Sequence, residues 1–358
     1  MRVLHLVAAD RWTGAAATAL QAVEALREAG VDAHLAFRPG RNLQTRLAGF
    51  PWAHPILEKE RSWSTLARVL RQLRQLLQGF DLLHTHLPHD HLLALWARRG
   101  FPHPPQVVRS VHHPSHLRRD PYHRLLFRSV AGVGLAHSEM LPAAQRLAPQ
   151  APVAVLPLAL EPRFTPMAQR EAIRQELGIP RDAFVAGTVG KLDPTRGQDL
   201  LLLALGAVPE SWGLVVGKGP FLPRLEKLAK KLGINGRVLF PGYHEEGLER
   251  LYNAMDLFIF PEPGSDWAHR AVAEAAACGV PSLAVDVPGI RDLVEPGVSG
   301  ELWPRGDAAA LAVLIQKWKE NPQRCREAGS RARQRVQGLT SAALSRALME
   351  LYQKASQP

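Results

Sequence analysis

Short apolar runs alternate along this chain with longer stretches whose apolar positions recur every three or four residues. Arg2–Val7 predicts a strand, Gly14 breaks the chain, and Ala15–Ala29 predicts a helix stopped by Gly30. Asp32–Phe37 is the next predicted strand. Ser62 supplies an N-cap oxygen for a helix running to about Gln78, with Gly79 after it. Leu82–Thr85, Val107–Val111, Val133–Ala136 and Val153–Leu156 follow as short buried strands, with helical candidates between them. Pro162 and Pro166 interrupt the pattern, and a domain boundary is expected there. The theme then restarts, with strands at Phe184–Val189, Gly213–Val216, Val238–Phe240, Leu257–Phe260 and Ser282–Val285. Helices are expected at Gln198–Leu205, Pro220–Leu232, Glu245–Ala254 and Arg270–Cys278, and from Asp307 nearly to the end. Strands alternating with helices form parallel sheets covered on both faces, so the fold class is α/β, with two doubly wound, Rossmann-like domains in series. Such an arrangement places a ligand crevice between the domains, at the carboxyl ends of the strands.

Length agrees with two domains, since 358 residues exceed the roughly 150 of an average one. An apolar content of 46% excludes disorder as the main state. The longest apolar run, Leu200–Val208, is too short to span a bilayer. Val3–Ala9, interrupted by His5 and followed by Asp10 and Arg11, is too short for a signal peptide. The two cysteines, Cys278 and Cys325, have no metal-type spacing and suit a reducing compartment, so a cytoplasmic location is expected.

The net charge of +11 is unevenly spread: residues 1–165 hold 20 basic and 11 acidic side chains, the remainder 24 and 22. Arg68, Arg71 and Arg74 share one side of a predicted helix, as do Arg124 and Arg128. Beside Leu70, Leu73 and Leu77 they suit either a solvated face or peripheral contact with anionic lipid at the inner face of the cytoplasmic membrane. No aromatic-studded basic motif points to nucleic acid. His84, His86, His89 and His91, with His112, His113 and His116, have no cysteine or matched carboxylate beside them, so no metal is expected there.

Two segments carry candidate chemistry. Gly187-Thr-Val-Gly190-Lys191-Leu-Asp-Pro-Thr-Arg196-Gly197 follows a predicted strand and opens a helix. Two cations beside a helix N-terminus suit a diphosphate, although the segment alone is equally a loop with solvated charges. In Pro261-Glu-Pro-Gly-Ser-Asp266-Trp-Ala268-His269-Arg270-Ala-Val-Ala-Glu274, one carboxylate precedes a helix and the second lies inside it. Both can then point toward a ligand at the helix start.

In these segments the chain resembles the nucleotide-sugar domain of retaining GT-B glycosyltransferases of family 4 (group 1). The family's paired carboxylates, with seven residues between them, line up with Asp266 and Glu274, and its glycine-rich cationic loop with Gly187 to Ala204. Val238 to Gly242 with Leu248 to Phe258, and Pro288 to Gly300, match two further blocks. More loosely, Thr13-Gly14, Asp81 to His86, Val108 to His113, His137 to Glu139 and Val155 to Pro166 resemble landmarks of the acceptor domain.

The resemblance implies a GT-B fold, with two Rossmann-like domains facing across a cleft. Residues 1–165 would hold the acceptor and 166–338 the nucleotide sugar, with the terminal helix 340–358 packing back on the first domain. The implied enzyme is a retaining, metal-independent hexosyltransferase without cofactor. It would move sugar from a UDP- or GDP-sugar to a saccharide or lipid-linked acceptor, in synthesis of cell-surface polysaccharide, lipopolysaccharide or glycolipid. Lys191 and Arg196 would neutralise the leaving diphosphate, in the reverse of the family's order. Glu274 would accept hydrogen bonds from the ribose, and Asp266 would contact the sugar hydroxyls beside the backbone N–H groups of Ala268, His269 and Arg270. Gly14, Gly190 and Gly242 would line the donor site, and His112 would reach the donor sugar.

Several positions depart from the pattern. Asp266 is shorter than the family's Glu, and Ala268-His269 replaces Phe-Gly, which would bring an imidazole to the spot where backbone meets sugar. Asp292 replaces Glu, and Leu158-Ala159 replaces Asn-Gly. These departures favour a shifted donor preference. They also support a rival, a catalytically silent nucleotide-sugar binder assisting another transferase. A GT-B UDP-sugar 2-epimerase ranks lower, because it lacks the seven-residue carboxylate spacing.

Overall fold

The computed structural model describes residues 1–9, 13–59, 62–262 and 269–357. The described residues divide into two compact units, the first within 1–159 and 339–357 and the second within 160–262 and 269–338.

The first unit is built on seven parallel strands: β1 (Arg2–Val7), β2 (Asp32–Phe37), β3 (Ala53–His54), β4 (Leu82–Thr85), β5 (Gln106–Val111), β6 (Gly132–Leu135) and β7 (Val153–Val155). Their order in the sheet is β3-β2-β1-β4-β5-β6-β7. Successive side chains point to opposite faces of a strand. On β1, Val3 and Val7 therefore pack with helices Gly14–Glu28 and Ser341–Ala355, while Leu4 and Leu6 pack with helices Trp63–Leu76 and Pro88–Ala97. Thr340 caps the C-terminal helix by accepting the Ala343 N–H at 3.1 Å. Its Leu344, Leu348, Leu351, Tyr352 and Ala355 recur at helical spacing and are buried in the first unit's core.

The second unit holds β8 (Phe184–Val189), β9 (Ser211–Val216), β10 (Val238–Gly242), β11 (Leu257–Phe260), β12 (Ser282–Val285) and β13 (Gly300–Trp303), in the order β10-β9-β8-β11-β12-β13. Asp256, just before β11, accepts the Val185 N–H at 2.7 Å and pairs with Arg174 at 2.6 Å and with Arg170. That carboxylate ties helix Arg170–Glu176 to the amino ends of two central strands.

In each sheet the strand order reverses once, between β1 and β4 and between β8 and β11. Crossover helices leave opposite faces at such a point, and the carboxyl ends of the two strands open a crevice. Two edge strands, β3 and β13, have no counterpart in the sequence reading: β3 is two residues long, and β13 is four residues, one of them the charged Glu301. The helix expected from Glu245 begins at Leu248, because Gly247 before it is left-handed at φ 75°. Among the described residues, no helix is long and apolar enough to cross a membrane.

Candidate functional site

In the second unit the chain leaves β8 through Gly190 and Lys191 and enters helix Gln198–Ala207 by way of Gly197. Asp193 organises the turn between them, accepting from the Thr195 N–H at 3.2 Å and hydroxyl at 2.8 Å. The Lys191 ammonium donates to the same carboxylate at 2.9 Å, and this bond is the main reason the Asp193 pKa is drawn down to about 2. Lys191 keeps 59% of its side-chain surface, so the ammonium remains accessible to a second anion. Arg196, at the end of the turn, is partly buried. Gly197 is left-handed at φ 68°, and a Cβ there would stand 2.9 Å from that of Pro261, so the loop lies against the end of β11.

A neighbouring loop, Gly217-Lys218-Gly219 after β9, went unnoticed in the sequence. A Cβ on Gly217 would meet the Gly190 carbonyl oxygen at 1.8 Å, and one on Gly219 would meet that of Leu192 at 2.0 Å. Only glycine permits backbones this close. The Gly190 N–H donates to Val216 and the Leu192 N–H to Lys218, both at 3.0 Å, and the Gly217 N–H donates to Gly242 at 2.8 Å. Three strand ends are thereby laced into one platform under Lys191. The Lys218 ammonium rests 4.3 Å from the centroid of the Tyr243 ring. Paired glycines directly after a predicted strand were the available signal.

Across the β8/β11 reversal, helix Arg270–Ala277 starts from His269, which is left-handed at φ 52°. Its imidazole does not crowd a ligand, as the sequence suggested. The residue is 1% exposed, Nε2–H donates to the Pro288 carbonyl at 2.9 Å, and the ring packs edge-on against Phe260. The buried bond and ring contact offset the conformational cost that glycine avoids at this φ. Arg270 is partly buried in the first turn. Glu274 is 7% exposed, and its Oε2 accepts the Tyr252 hydroxyl at 2.9 Å. Tyr252 is wholly buried, and burial together with the Glu274 charge raises its pKa well above the usual phenol value. Nothing in the sequence pattern marked Tyr252 as the residue orienting this carboxylate. Asp266 and Ala268 lie outside the described residues.

In the first unit, Gly14 opens the helix that follows β1, and Thr13 caps it by accepting the Ala16 N–H at 3.3 Å. His112 follows β5 directly and, with Ser110, Thr18 and Gln21, lines a cavity of about 20 Å³ at the strand ends. Behind it stand buried histidines: ring nitrogens of His5, His84 and His86 lie within 4.8 Å of one another. Burial, then repulsion between the rings, holds all three well below the ordinary imidazole pKa. Burial likewise brings His112 and His116 to about 4 and His91 to about 3, with the Arg109 guanidinium adding to it in all three. Arg109 is itself buried, 4.8 Å over the Phe127 ring, and drawn down to about 10.

Residues 12–146 match the family model described as Glycosyltransferase Family 4, and residues 169–335 match Glycosyl transferases group 1. Two glycosyltransferase family models thus match consecutive stretches of the chain. Among curated proteins it is 33% identical over 193 residues to the D-inositol 3-phosphate glycosyltransferase of Thermomonospora curvata, covering 50% of this chain and 44% of that one. It is 38% identical over 160 residues to the enzyme of that name from Mycolicibacterium smegmatis, covering 43% and 36%. The matched stretch spans less than half the length of these relatives. In fold the chain is similar to Anabaena HepE, solved in complex with UDP, with a TM-score of 0.85, 22% identity, and 99% of this chain and 100% of that one covered. Sucrose-phosphate synthase from Thermosynechococcus elongatus gives 0.78 at 23% identity, with 99% of each chain covered. The architecture is that of GT-B glycosyltransferases, with two Rossmann-like domains.

Depressed histidine pKa values have a consequence for stability. The unfolded chain takes up protons near pH 6.5 that the folded first unit refuses until about pH 4. The stability they contribute is complete above pH 6.5 and is lost as pH falls toward 4, each group adding a slope of up to about 1.4 kcal/mol per pH unit. Asp90, raised to about 7 chiefly by burial, acts in the opposite sense, but it is one group against six histidines. Thermal melts followed by circular dichroism should therefore show a steep fall in Tm from pH 6.5 to pH 5. A flat profile across that window would contradict burial of these rings as neutral imidazoles.

Proposed function

We propose that this protein is a retaining, metal-independent glycosyltransferase that uses a UDP-sugar, with a GDP-sugar as the second choice. The observation that carries this reading is the exposed Lys191 ammonium, with Arg196 nearby in the same loop, on a glycine-laced platform at the carboxyl end of β8. This is the side of the sheet reversal at which a Rossmann-like domain binds nucleotides. The HepE structures, solved with UDP and with UDP-glucose, supply the preference for uridine. The two cations would offset charge developing on the departing diphosphate, as a metal ion does elsewhere. In the free protein Asp193 occupies the Lys191 ammonium, so a bound diphosphate would share that cation or displace the carboxylate. Glu274, held by Tyr252, would accept from the ribose hydroxyls, and Asp266 with the backbone at Ala268, His269 and Arg270 would meet the sugar. Gly14, Gly190 and Gly242 would let backbone approach the donor, and His112 would reach the donor sugar. Attack by the acceptor hydroxyl on the face the diphosphate leaves, with the C1–O bond to the diphosphate breaking and the departing phosphate oxygen taking the hydroxyl proton, would retain the anomeric configuration.

The acceptor would be a saccharide or a lipid-linked polyol; the curated relatives, named for inositol 3-phosphate, favour a polyhydroxylated one. Contact with anionic membrane is part of the proposal. Tyr122 and Leu125 are 46% and 65% exposed on helix Pro121–Phe127, among the exposed Arg118, Arg119, Arg124 and Arg128. Arg74 is less available, because it donates to the Ala97 carbonyl at 3.3 Å.

Release of UDP from UDP-sugars in the presence of polyol acceptors tests the reaction. Lys191→Ala and Glu274→Ala should each lower kcat/KM by about 100-fold or more with unchanged circular dichroism. Wild-type rates in either variant would remove its assigned role, and absence of turnover with every donor would favour the silent binder. Sedimentation with vesicles of phosphatidylglycerol against phosphatidylcholine tests the membrane contact. Preferential binding to the anionic vesicles, weakened by Leu125→Glu, is expected; equal binding to both would contradict it.

A further inference from the structure

His5, His84, His86, Ser110 and His112 all occupy positions of one parity on β1, β4 and β5 and their ends, and so share one face of the first sheet. That face is covered by the C-terminal helix, which contributes Tyr352. Consecutive hydrogen bonds join the six. Ser110 Oγ lies 2.8 Å from His84 Nε2, His84 Nδ1 lies 2.6 Å from Tyr352 Oη, and Oη lies 3.1 Å from His5 Nε2. His5 Nδ1 is 3.0 Å from His86 Nε2, and His86 Nδ1 is 3.1 Å from His112 Nε2. In the last two pairs, ring centroids 5.2 and 5.3 Å apart are what imidazoles joined nitrogen to nitrogen, end on, must have.

A neutral imidazole has one N–H and one bare nitrogen, and a phenol has one proton. Tyr352 Oη could accept from both His84 and His5, but its buried proton would then have no partner among the described residues. With that order excluded, every proton in the row points toward His112 or every proton points away. The two orders are not equivalent. Ser110 is 4% exposed, and among the described residues the His84 Nε2 is the one protein partner of its hydroxyl. If His84 donated to Ser110, the buried hydroxyl proton would have no protein acceptor, an expensive vacancy. Donation from Ser110 avoids it and sets the direction of every later bond. Both ring nitrogens of His5, His84 and His86 are engaged in these bonds, so an ion shared by the three would have to displace them.

We propose that Ser110 and Tyr352 are positioning residues for His112, fixing it, through His84, His5 and His86, as an Nδ1–H donor whose Nε2 is closed. His112 then offers an N–H to a ligand oxygen and cannot accept a proton through Nε2. That this ligand is the donor sugar rests on the function proposed above. The C-terminal helix acquires a role at the site, although Tyr352 stands 240 residues from His112 in the sequence.

Long-range proton–nitrogen correlation spectra of the full chain, labelled with ¹⁵N-histidine and recorded without nucleotide at pH 7.5, read the four tautomers directly. All four rings should be Nδ1–H, the minority form of histidine in water. Tyr352→Phe should return His112 to a mixture containing Nε2–H and lower kcat several-fold with less than twofold change in donor KM. Ser110→Ala, at the far end of the chain of bonds, should mix the same tautomers. The wild-type spectrum alone overturns the proposal if His112 is Nε2–H. So does an unchanged Nδ1–H signal from His112 in both variants. Loss of the His5, His84 and His86 N–H signals on adding one equivalent of Zn²⁺ would do so as well, by showing a metal site instead. None of these spectra needs a donor, so failure of the tautomer order is distinguishable from failure of the donor reading.

Discussion

A parallel strand can join its neighbour only through a crossover, and where successive crossovers leave opposite faces two strand ends stand open side by side. The donor site proposed for the second unit depends on this constraint at the β8/β11 reversal. It places the Gly190–Arg196 loop on one side and the helix bearing Glu274 on the other. The gap is then made rigid by backbone rather than by side chains: Gly217 and Gly219 bring β9's loop against that of β8, and Gly242 anchors β10's. A site for a diphosphate needs donors held in place before the ligand arrives, and laced main chain provides that without entropy lost by long side chains.

The first unit solves a different problem. It buries polar imidazoles on one face of its sheet, and each stays neutral because burial and neighbouring rings oppose a charge. Neutral rings in a row satisfy one another only if all are oriented alike, so one serine hydroxyl dictates the order of the whole chain. The same burial makes the unit sensitive to acid, since the unfolded chain takes up protons on these rings at a higher pH than the folded one. The proposed positioning of His112 and the acid sensitivity thus share one origin.

Much of this was legible in the residues. Alternation of strand and helix patterns located the central strands, because a strand buried on both faces is apolar throughout. The connection that carries Lys191 and Arg196 was legible as a loop between a strand and a helix. Edge strands were not, since β3 is too short, and β13 is only four residues long with Glu301 interrupting its apolar run. His269 was misread because the sequence shows that a side chain replaces glycine but not where it turns; φ 52° sends the ring toward Pro288. Tyr252 and Tyr352 were invisible for a related reason. Each sits at an ordinary buried helical position, and only packing against Glu274 or His84 reveals that its hydroxyl is engaged.

Calorimetric titration of UDP into the protein, without metal and at moderate salt, is the most direct measure of the central claim that a cationic loop after β8 clasps a diphosphate. UDP should bind, UMP should bind more weakly, and Lys191→Ala should lose about 10-fold or more of the UDP affinity while leaving UMP nearly unchanged. Equal affinity of the variant and the wild type for UDP, or no heat from UDP at millimolar concentration, would contradict it.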